Sequence, residues 1–283
     1  MSRFPVFDSH VDTLLRISGP PEFLSGSSTQ LDEPRALKGG VEDLVLAVCA
    51  EAERDPTASW KKAFGIYEEL IERSSLRLHL MAEGCQPLIE LYPEGFPRDL
   101  RVACLTWNVP NSLAGGVHSD AGLTDEGRAL VRRLRDSGVI IDVSHLCDRS
   151  RRDLLRMDVP LVATHCNCRR LRDVPRNLPD QDIREIASMD GVVGVTFVPR
   201  FLAENATSSH IVDHASHVAD LVGVDHVGFG SDFDGMGNPP AGVVDCTSWP
   251  AIFEEMSQRG WSDGEITKAS CSNWRRVFGL EET

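Results

Sequence analysis

Histidine and carboxylate residues stand at the ends of several short apolar runs in this 283-residue chain. They are, in chain order, His10, Asp12, Glu83, His145, His165 and Asp232. Imidazole nitrogens and carboxylate oxygens, with no thiolate among them, are the ligands that suit zinc or a similar divalent ion. Residues two apart in a strand point to the same side, so the first two can face one ion. These residue types therefore predict a divalent metal centre.

Each of these residues, taken singly, has a simpler explanation. A lone histidine at a strand end is more often structural, and the segment Asp232-Phe-Asp234-Gly235 has a composition typical of a turn. Their joint placement is the stronger observation, because all of them fall at the ends of predicted strands in one register. Asp142 and Asp234 are further candidates, as carboxylates that orient the ligand side chains.

Eight runs rich in β-branched and other apolar residues predict the strands that would position this centre. Many of them are nearly continuous apolar runs, which is typical of parallel strands covered on both faces. The predicted strands are Val6–Asp12, Glu42–Ala50, Leu76–Glu83, Arg101–Asn108, Gly138–His145, Leu161–His165, Gly191–Val198 and His226–Asp232.

Helical patterns lie between these strands. One apolar stripe is formed by Trp60, Phe64, Tyr67 and Ile71, and a second by Ile211, Ala215, Val218 and Val222. Thr124 is placed to cap a helix that is acidic at its start and basic near its end, and Ser262 with Glu265 forms a capping box.

Eight alternating strands and helices predict a (β/α)₈ TIM barrel that occupies residues 1–283 as a single domain. An active site in such a barrel lies at the carboxyl ends of the strands, which is where the candidate ligands fall. A doubly wound open sheet is the alternative, but no Gly-x-Gly-x-x-Gly turn follows the first strand.

The composition excludes several classes of protein. Hydrophobic residues make up 41% of the chain, which is too many for a disordered protein, and the net charge of -14 argues against nucleic acid or an anionic membrane as partner. No apolar stretch is long enough to span a bilayer, and the first residues contain no signal-peptide core. Several of the eight cysteines lie in apolar runs, so we expect reduced thiols and a cytoplasmic protein.

A set of short motifs, in a fixed order, resembles the renal (membrane) dipeptidases, peptidase family M19 of the amidohydrolase superfamily. The matching stretches cover most of the chain. They are Asp8-Ser-His-Val-Asp12, Glu83-Gly84, Leu105-Thr-Trp-Asn108, Gly122-Leu-Thr124, Ile141-Asp-Val-Ser-His145, Thr164-His165, Arg176-Asn177 and Gly230-Ser-Asp-Phe-Asp-Gly235. The resemblance implies a barrel of the metal-dependent hydrolase type and a dipeptidase that cleaves short peptides, including those with a C-terminal D-residue. Dimers are common in that family, so a homodimer is the assembly it suggests.

The resemblance also implies a role for each site residue. His10 and Asp12 would hold one zinc ion, His145 and His165 the other, and Glu83 would bridge the two. The two ions would activate a shared water molecule as the attacking hydroxide. Asp232 would carry the proton to the leaving amine, and Arg176 would bind the terminal carboxylate of the substrate.

One position departs from the family pattern. Many members have a histidine where this chain has Trp107, next to Asn108 in the substrate-contacting motif. An indole donates one hydrogen bond but cannot carry a proton, so we expect an altered substrate or rate. The alternatives are a hydrolase of a non-dipeptide amide or a natural-product intermediate, and a non-catalytic metal-binding protein. The presence of Asp232 argues against the second of these.

Overall fold

Eight short parallel strands follow one another around a barrel in the part of the chain that this computed structural model describes, residues 3–280. The sheet has the order β6-β5-β4-β3-β2-β1-β8-β7, and a single bridge between Ala163 and Val193 nearly closes it. The predicted barrel is therefore confirmed, and the open doubly wound sheet is wrong. The strands are β1 Val6–Val11, β2 Val41–Val48, β3 Arg77–Glu83, β4 Leu100–Cys104, β5 Ile140–Asp142, β6 Leu161–Val162, β7 Val193–Val195 and β8 Val227–Phe229.

All eight predicted strands are present, but most of the predictions run too far toward the carboxyl end. The segment predicted to end at His145 stops at Asp142, and the one predicted to end at Asp232 stops at Phe229. His145 and Asp232 have φ angles of 64° and 65°, which is the left-handed region and incompatible with a strand. The buried apolar run continues past each strand into the loop, so hydrophobicity alone does not mark the strand end.

The helices surround the barrel. They are α1 Pro20–Ser25, α2 Glu33–Gly39, α3 Pro56–Ile71, α4 Gln86–Leu91, α5 Asp125–Asp136, α6 Asp148–Leu155, α7 Asp180–Ser188, α8 Pro199–Leu202, α9 Ser208–Val222, α10 Trp249–Gln258, α11 Asp263–Thr267 and α12 Asn273–Val277. Helices α1 to α9 lie between consecutive strands, and α10 to α12 follow the last strand.

The helix caps predicted from the sequence are confirmed. The Thr124 hydroxyl accepts a hydrogen bond from the backbone N–H of Gly127 at the start of α5, and Ser262 and Glu265 form a capping box on α11. The prediction of the apolar stripe on α3 is partly wrong. Trp60 and Tyr67 are buried as predicted, but Ile71 is 39% exposed and the end of the buried stripe is Leu70.

The end of the barrel opposite the site is closed by the C-terminal helix. Trp274 and Phe278 lie in one buried apolar cluster with residues of β1 to β6, and the Phe7 ring stacks on the Trp274 indole. The Trp274 indole donates a hydrogen bond to the backbone oxygen of Phe229 on β8. No helix within residues 3–280 has the length and apolar character needed to cross a bilayer.

A buried ion cluster fixes α12 to the barrel. The Asp43 carboxylate on β2 accepts hydrogen bonds from Arg275 Nε at 2.9 Å and Nη2 at 2.7 Å, and from Arg77 Nη1 at 3.0 Å. Burial raises the pKa of Asp43, but hydrogen bonds from His79 and Arg275 outweigh this effect and hold the pKa below its usual range.

We expect Asp43→Asn to lower the free energy of unfolding by about 3 kcal/mol, because the buried Arg275 guanidinium then keeps only the exposed Glu42 carboxylate as a counter-charge. The lowered pKa means that this stabilisation is complete above the unfolded-state pKa near 4 and is lost as the pH falls below it. Urea unfolding at pH 7 and at pH 3 measures both effects. Asp225→Asn, which removes only an exposed pair with Lys268, is the control and should change stability by less than about 1 kcal/mol. Equal stability of the wild type and Asp43→Asn at pH 7 would contradict the prediction.

Candidate functional site

The six predicted ligand residues come together over the carboxyl ends of the strands. His10 lies in β1, Glu83 is the last residue of β3, and the other four follow the ends of β1, β5, β6 and β8. The left-handed backbone at His145 and Asp232 costs roughly 1–3 kcal/mol at each residue. It turns the chain at the strand end so that both side chains reach the same cluster as Glu83.

Glu83 is the centre of the cluster. Its Oε1 atom lies 2.6 Å from Nε2 of His145 and 3.5 Å from Nε2 of His165, and its Oε2 atom lies 3.8 Å from Nε2 of His10. The Nε2 atoms of His145 and His165 are 2.8 Å apart. One buried carboxylate therefore faces three imidazole nitrogens at once.

The His10 imidazole is fully buried, and neither of its nitrogens has a hydrogen-bond partner among the described residues. Its Nε2 atom lies 3.9 Å from Oδ1 of Asp12 and 4.0 Å from Oδ1 of Asp232. These distances are too long for hydrogen bonds. The His10 ring also stacks on His165, with the ring centroids 3.6 Å apart.

The electrostatics of the cluster keep the histidines neutral and Glu83 ionised. Burial lowers the pKa of His10 and of His145 to about 4, and it also lowers that of His165. Although burial alone would raise it, the pKa of Glu83 is held well below its usual range by the surrounding histidines. Neutral imidazole and ionised carboxylate are the forms that bind a metal ion.

The two other carboxyl groups of the cluster have raised pKa values. Burial and the charge of Glu83 raise the pKa of Asp12 well above its usual range. The same two causes raise the pKa of Asp232 to about 7, while the positive charges of Arg176 and Arg200 act in the opposite direction. Three carboxyl groups are thus confined where a cation would lower the repulsion between them.

Hydrogen bonds to the far ring nitrogens orient two of the histidines. Nδ1 of His145 lies 3.0 Å from Oδ1 of Asn108, so that residue contacts a candidate ligand. Nδ1 of His165 lies 2.7 Å from the Thr164 hydroxyl, which in turn donates to Oδ2 of Asp142 at 2.6 Å. In both residues Nδ1 is therefore the N–H nitrogen and Nε2 presents its lone pair to the cluster. Asp142, for which the sequence predicts an orienting role, thus contacts His165 through Thr164.

Asp8 and Ser9 of the first motif are structural. The Asp8 carboxylate accepts hydrogen bonds from the backbone N–H of Ser231, at 2.8 Å, and from its hydroxyl, at 2.6 Å. The Ser9 hydroxyl lies within hydrogen-bond distance of the backbone oxygens of Thr164, at 2.7 Å, and Phe229, at 2.9 Å. These contacts tie β1 to the loops that follow β6 and β8.

Asp234 and Gly235 shape the loop that carries Asp232. Asp234 accepts hydrogen bonds from the Thr13 hydroxyl and from the backbone N–H of Gln30, so it orients the loop and does not face the histidines. A Cβ atom at Gly235 would collide with the carboxylates of Asp12 and Asp232. The space between those two carboxylates therefore stays open because residue 235 is a glycine.

Arg176 is buried beside the cluster and only partly paired. Its Nη1 atom donates to Sγ of Cys166 at 3.0 Å, and its guanidinium lies over the Phe201 ring. Nε and Nη2 have no partner within residues 3–280. A buried guanidinium with unpaired N–H groups is unfavourable unless an anion binds to it.

Trp107 lies at the mouth of the site, and a residue that the sequence analysis missed fixes its loop. The Trp107 indole stacks on His145, with ring centroids 6.4 Å apart. Glu51, just after β2, accepts hydrogen bonds from the backbone N–H groups of Trp107 and Gln86 and from Nδ2 of Asn111. The position of Glu51, an acidic residue just after a buried strand, is the sequence signal that could have identified it as a site residue.

Arg200 is a second missed residue. It follows β7 on the short helix α8, where the sequence analysis named no site residue. Its side chain and Asp232 line one cavity of about 270 Å³. An arginine directly after a barrel strand was the signal, but a search limited to metal ligands passes over it.

The residues of the cluster fit a divalent metal. The ligand atoms of His10, Glu83 and His165 all lie within 4.8 Å of one another, as do those of His10, Asp12 and Asp232. The buried atoms His10 Nε2, Asp12 Oδ1 and Glu83 Oε2 have no hydrogen-bond partner in the described chain, and a bound ion would provide one.

A nearly closed parallel barrel with this cluster at the carboxyl ends of its strands is the architecture of the TIM-barrel metallopeptidases and amidohydrolases. The chain belongs to the membrane dipeptidase family, peptidase family M19, whose sequence profile matches residues 79–283. The family predicted from the sequence motifs is thereby confirmed.

Individual relatives agree with this assignment. An uncharacterized dipeptidase of Schizosaccharomyces pombe is 33% identical over 72% of this chain and 51% of its own length. The dipeptidase verJ of Clonostachys rogersoniana is 31% identical over 72% of this chain and 53% of its own length. The chain thus spans about half the length of these curated relatives.

A solved structure extends the similarity to the N-terminal strands. A metallopeptidase from Rhodobacter sphaeroides, liganded with a phosphinate mimic of the dipeptide L-Ala-D-Ala, superposes with a TM-score of 0.87 at 25% identity. The match covers 98% of this chain and 99% of the other.

Proposed function

We propose that this protein is a zinc-dependent dipeptidase that hydrolyses the amide bond of short peptides. The observation that carries the proposal is the set of buried, unpartnered nitrogen and oxygen atoms around His10 and Glu83, beside the buried Arg176, whose Nε and Nη2 atoms have no partner in the described chain. A bound cation would give the atoms around His10 and Glu83 a partner, and a bound anion would give the Arg176 N–H groups a partner. A dipeptide supplies the anion as its terminal carboxylate.

Two zinc ions would occupy the cluster, one held by His10 and Asp12 and one by His145 and His165, with Glu83 shared between them. Bound there, they would supply Lewis acidity and lower the pKa of a water molecule. The Asp142–Thr164–His165 chain and the Asn108–His145 contact keep the imidazole lone pairs directed at the ions.

The protein side chains perform the remaining steps. The Arg176 guanidinium binds the terminal carboxylate and holds the peptide in one orientation. Asp232 accepts a proton from the attacking water at a carboxylate oxygen. As the C–N bond breaks, it donates that proton to the nitrogen of the leaving amine. Trp107 covers His145 and limits the space available beside it.

The Trp107 position favours a second candidate function, hydrolysis of a non-dipeptide amide. Its N–H can donate a hydrogen bond, but an indole cannot gain and lose a proton as a histidine does at that position. Such an enzyme would use the same metal centre and the same Asp232, so only the choice of substrate separates the two functions.

Metal analysis and a dipeptide panel test the proposal together. We expect about two zinc ions per chain, loss of hydrolysis on chelation, and recovery on adding zinc back. The metal-loaded protein should hydrolyse L-Ala-D-Ala or L-Ala-L-Ala, since a phosphinate mimic of the former binds to the Rhodobacter sphaeroides metallopeptidase. Full zinc occupancy without turnover of any dipeptide would favour the second candidate, and a protein that binds no metal would contradict both.

A further inference from the structure

A second guanidinium stands at the entrance to the site, on the helix that follows β7. Arg200 is exposed, and within residues 3–280 its side chain makes no hydrogen bond and no ion pair. Its guanidinium carbon lies 4.7 Å from the centroid of the Phe201 ring, which holds it against the protein. An arginine that is held in place but has no partner is free to bind an anion from solution.

Phe201 also connects Arg200 to the interior of the site. The guanidinium carbon of Arg176 lies 5.6 Å from the centroid of the same ring. Two guanidinium groups, one buried and one exposed, therefore share one aromatic ring. The positive charge of Arg200 is therefore held against the same residue as the guanidinium that we assign to the main-chain carboxylate.

The cavity at Arg200 reaches the reacting part of the site. Its lining includes Val198, Pro199, Asp232 and Met236, with a volume of about 270 Å³. The apolar members of this lining suit the methylene groups of a side chain, and Arg200 is the lining residue with a positive charge. Of these lining residues, the proposed function uses Asp232 and gives Arg200 no role.

We propose that Arg200 forms a subsite for a second carboxylate, so that the preferred substrates are dipeptides whose C-terminal residue is acidic. The inference rests on the proposed function, because it takes Arg176 as the group that binds the main-chain carboxylate. Arg200 would then bind the side-chain carboxylate of the same residue. The selectivity is modest, since Arg200 is exposed to water and salt.

Isosteric substrates provide the test. L-Ala-Asp and L-Ala-Asn, each with L- and with D-configuration at the second residue, differ in charge while keeping nearly the same shape. We expect the wild type to favour the aspartyl peptide in kcat/KM by about threefold to tenfold at low salt. The ratio should approach one in Arg200→Gln and should shrink in the wild type as NaCl is raised. Arg184→Gln, which removes an exposed arginine of α7 outside this cavity, should keep the wild-type ratio.

The possible results distinguish a failure of the Arg200 subsite from a failure of the proposed dipeptidase function. If Arg200→Gln lowers kcat/KM for both peptides equally, Arg200 acts on the electrostatics of Asp232 and the subsite is ruled out, while the dipeptidase proposal stands. Equal kcat/KM of the wild type for the two peptides also rules out the subsite and leaves the dipeptidase proposal standing. If the zinc-loaded protein hydrolyses neither peptide, nor any other dipeptide, the proposed function fails and the subsite fails with it.

Discussion

Asp232→Asn is expected to lower kcat for dipeptide hydrolysis by about 10²–10⁴-fold, because an amide cannot accept the proton that the leaving nitrogen needs. Asparagine is the right replacement at this position. Residue 232 has a φ of 65°, and asparagine tolerates the left-handed region while alanine would add backbone strain. The loss of activity can then be attributed to chemistry, provided that the variant still binds metal.

Zinc content decides what the loss of activity means. Oδ1 of Asp232 lies 4.0 Å from Nε2 of His10, and the two residues form a group with Asp12 that could itself hold an ion. If Asp232→Asn keeps its zinc and loses its activity, Asp232 is the proton carrier. If it loses zinc as well, the carboxylate is a ligand, and a variant with near wild-type kcat would falsify both roles.

Asp234→Asn is the matched control for this experiment. Asp234 is buried in the same loop and also has a left-handed backbone, with a φ of 69°. Its carboxylate oxygens are already occupied by hydrogen bonds from Thr13 and Gln30. We therefore expect Asp234→Asn to reduce thermal stability and to lower kcat by less than Asp232→Asn does.

The fold could be predicted from the sequence because its determinants are local. Most strands are short apolar runs, and helices such as α5 carry their own caps, so the alternation of elements is visible without any tertiary information. The positions at which the strands end were predicted less accurately. At His145 the backbone turns into the left-handed region because its side chain meets Glu83 from another strand, and that contact is not encoded in the local pattern.

The candidate site could be predicted only in part for the same reason. The motifs identified the histidines and carboxylates that gather around Glu83, since each stands beside a recognisable strand. Glu51 accepts hydrogen bonds from the backbone of two other loops. Arg200 is a candidate site residue because its guanidinium and that of Arg176 both lie against the Phe201 ring. Such contacts join segments far apart in the chain, so no single stretch of sequence contains them.

Replacing Glu83 by glutamine is expected to remove most of the bound zinc and to lower kcat/KM by more than 100-fold. That figure is about the upper limit for residues that only orient a ligand. The reason is geometric, because within residues 3–280 Glu83 is the carboxylate that faces all three histidines, with Oε1 near His145 and His165 and Oε2 near His10. A glutamine keeps the shape but loses the charge, and a neutral amide is a poor ligand for zinc.

Glu51→Gln provides the comparison that makes the Glu83 result interpretable. Glu51 lies just after β2 and Glu83 ends the neighbouring strand β3. The Glu51 carboxylate accepts its hydrogen bonds from Gln86, Asn111 and Trp107 and from no histidine in the described chain. Cobalt substitution followed by visible absorption reports metal binding independently of activity. We expect Glu51→Gln to keep a wild-type cobalt spectrum and Glu83→Gln to lose it. Retention of the full spectrum by Glu83→Gln would mean that the histidines with Asp12 and Asp232 hold the metal without the carboxylate at their centre.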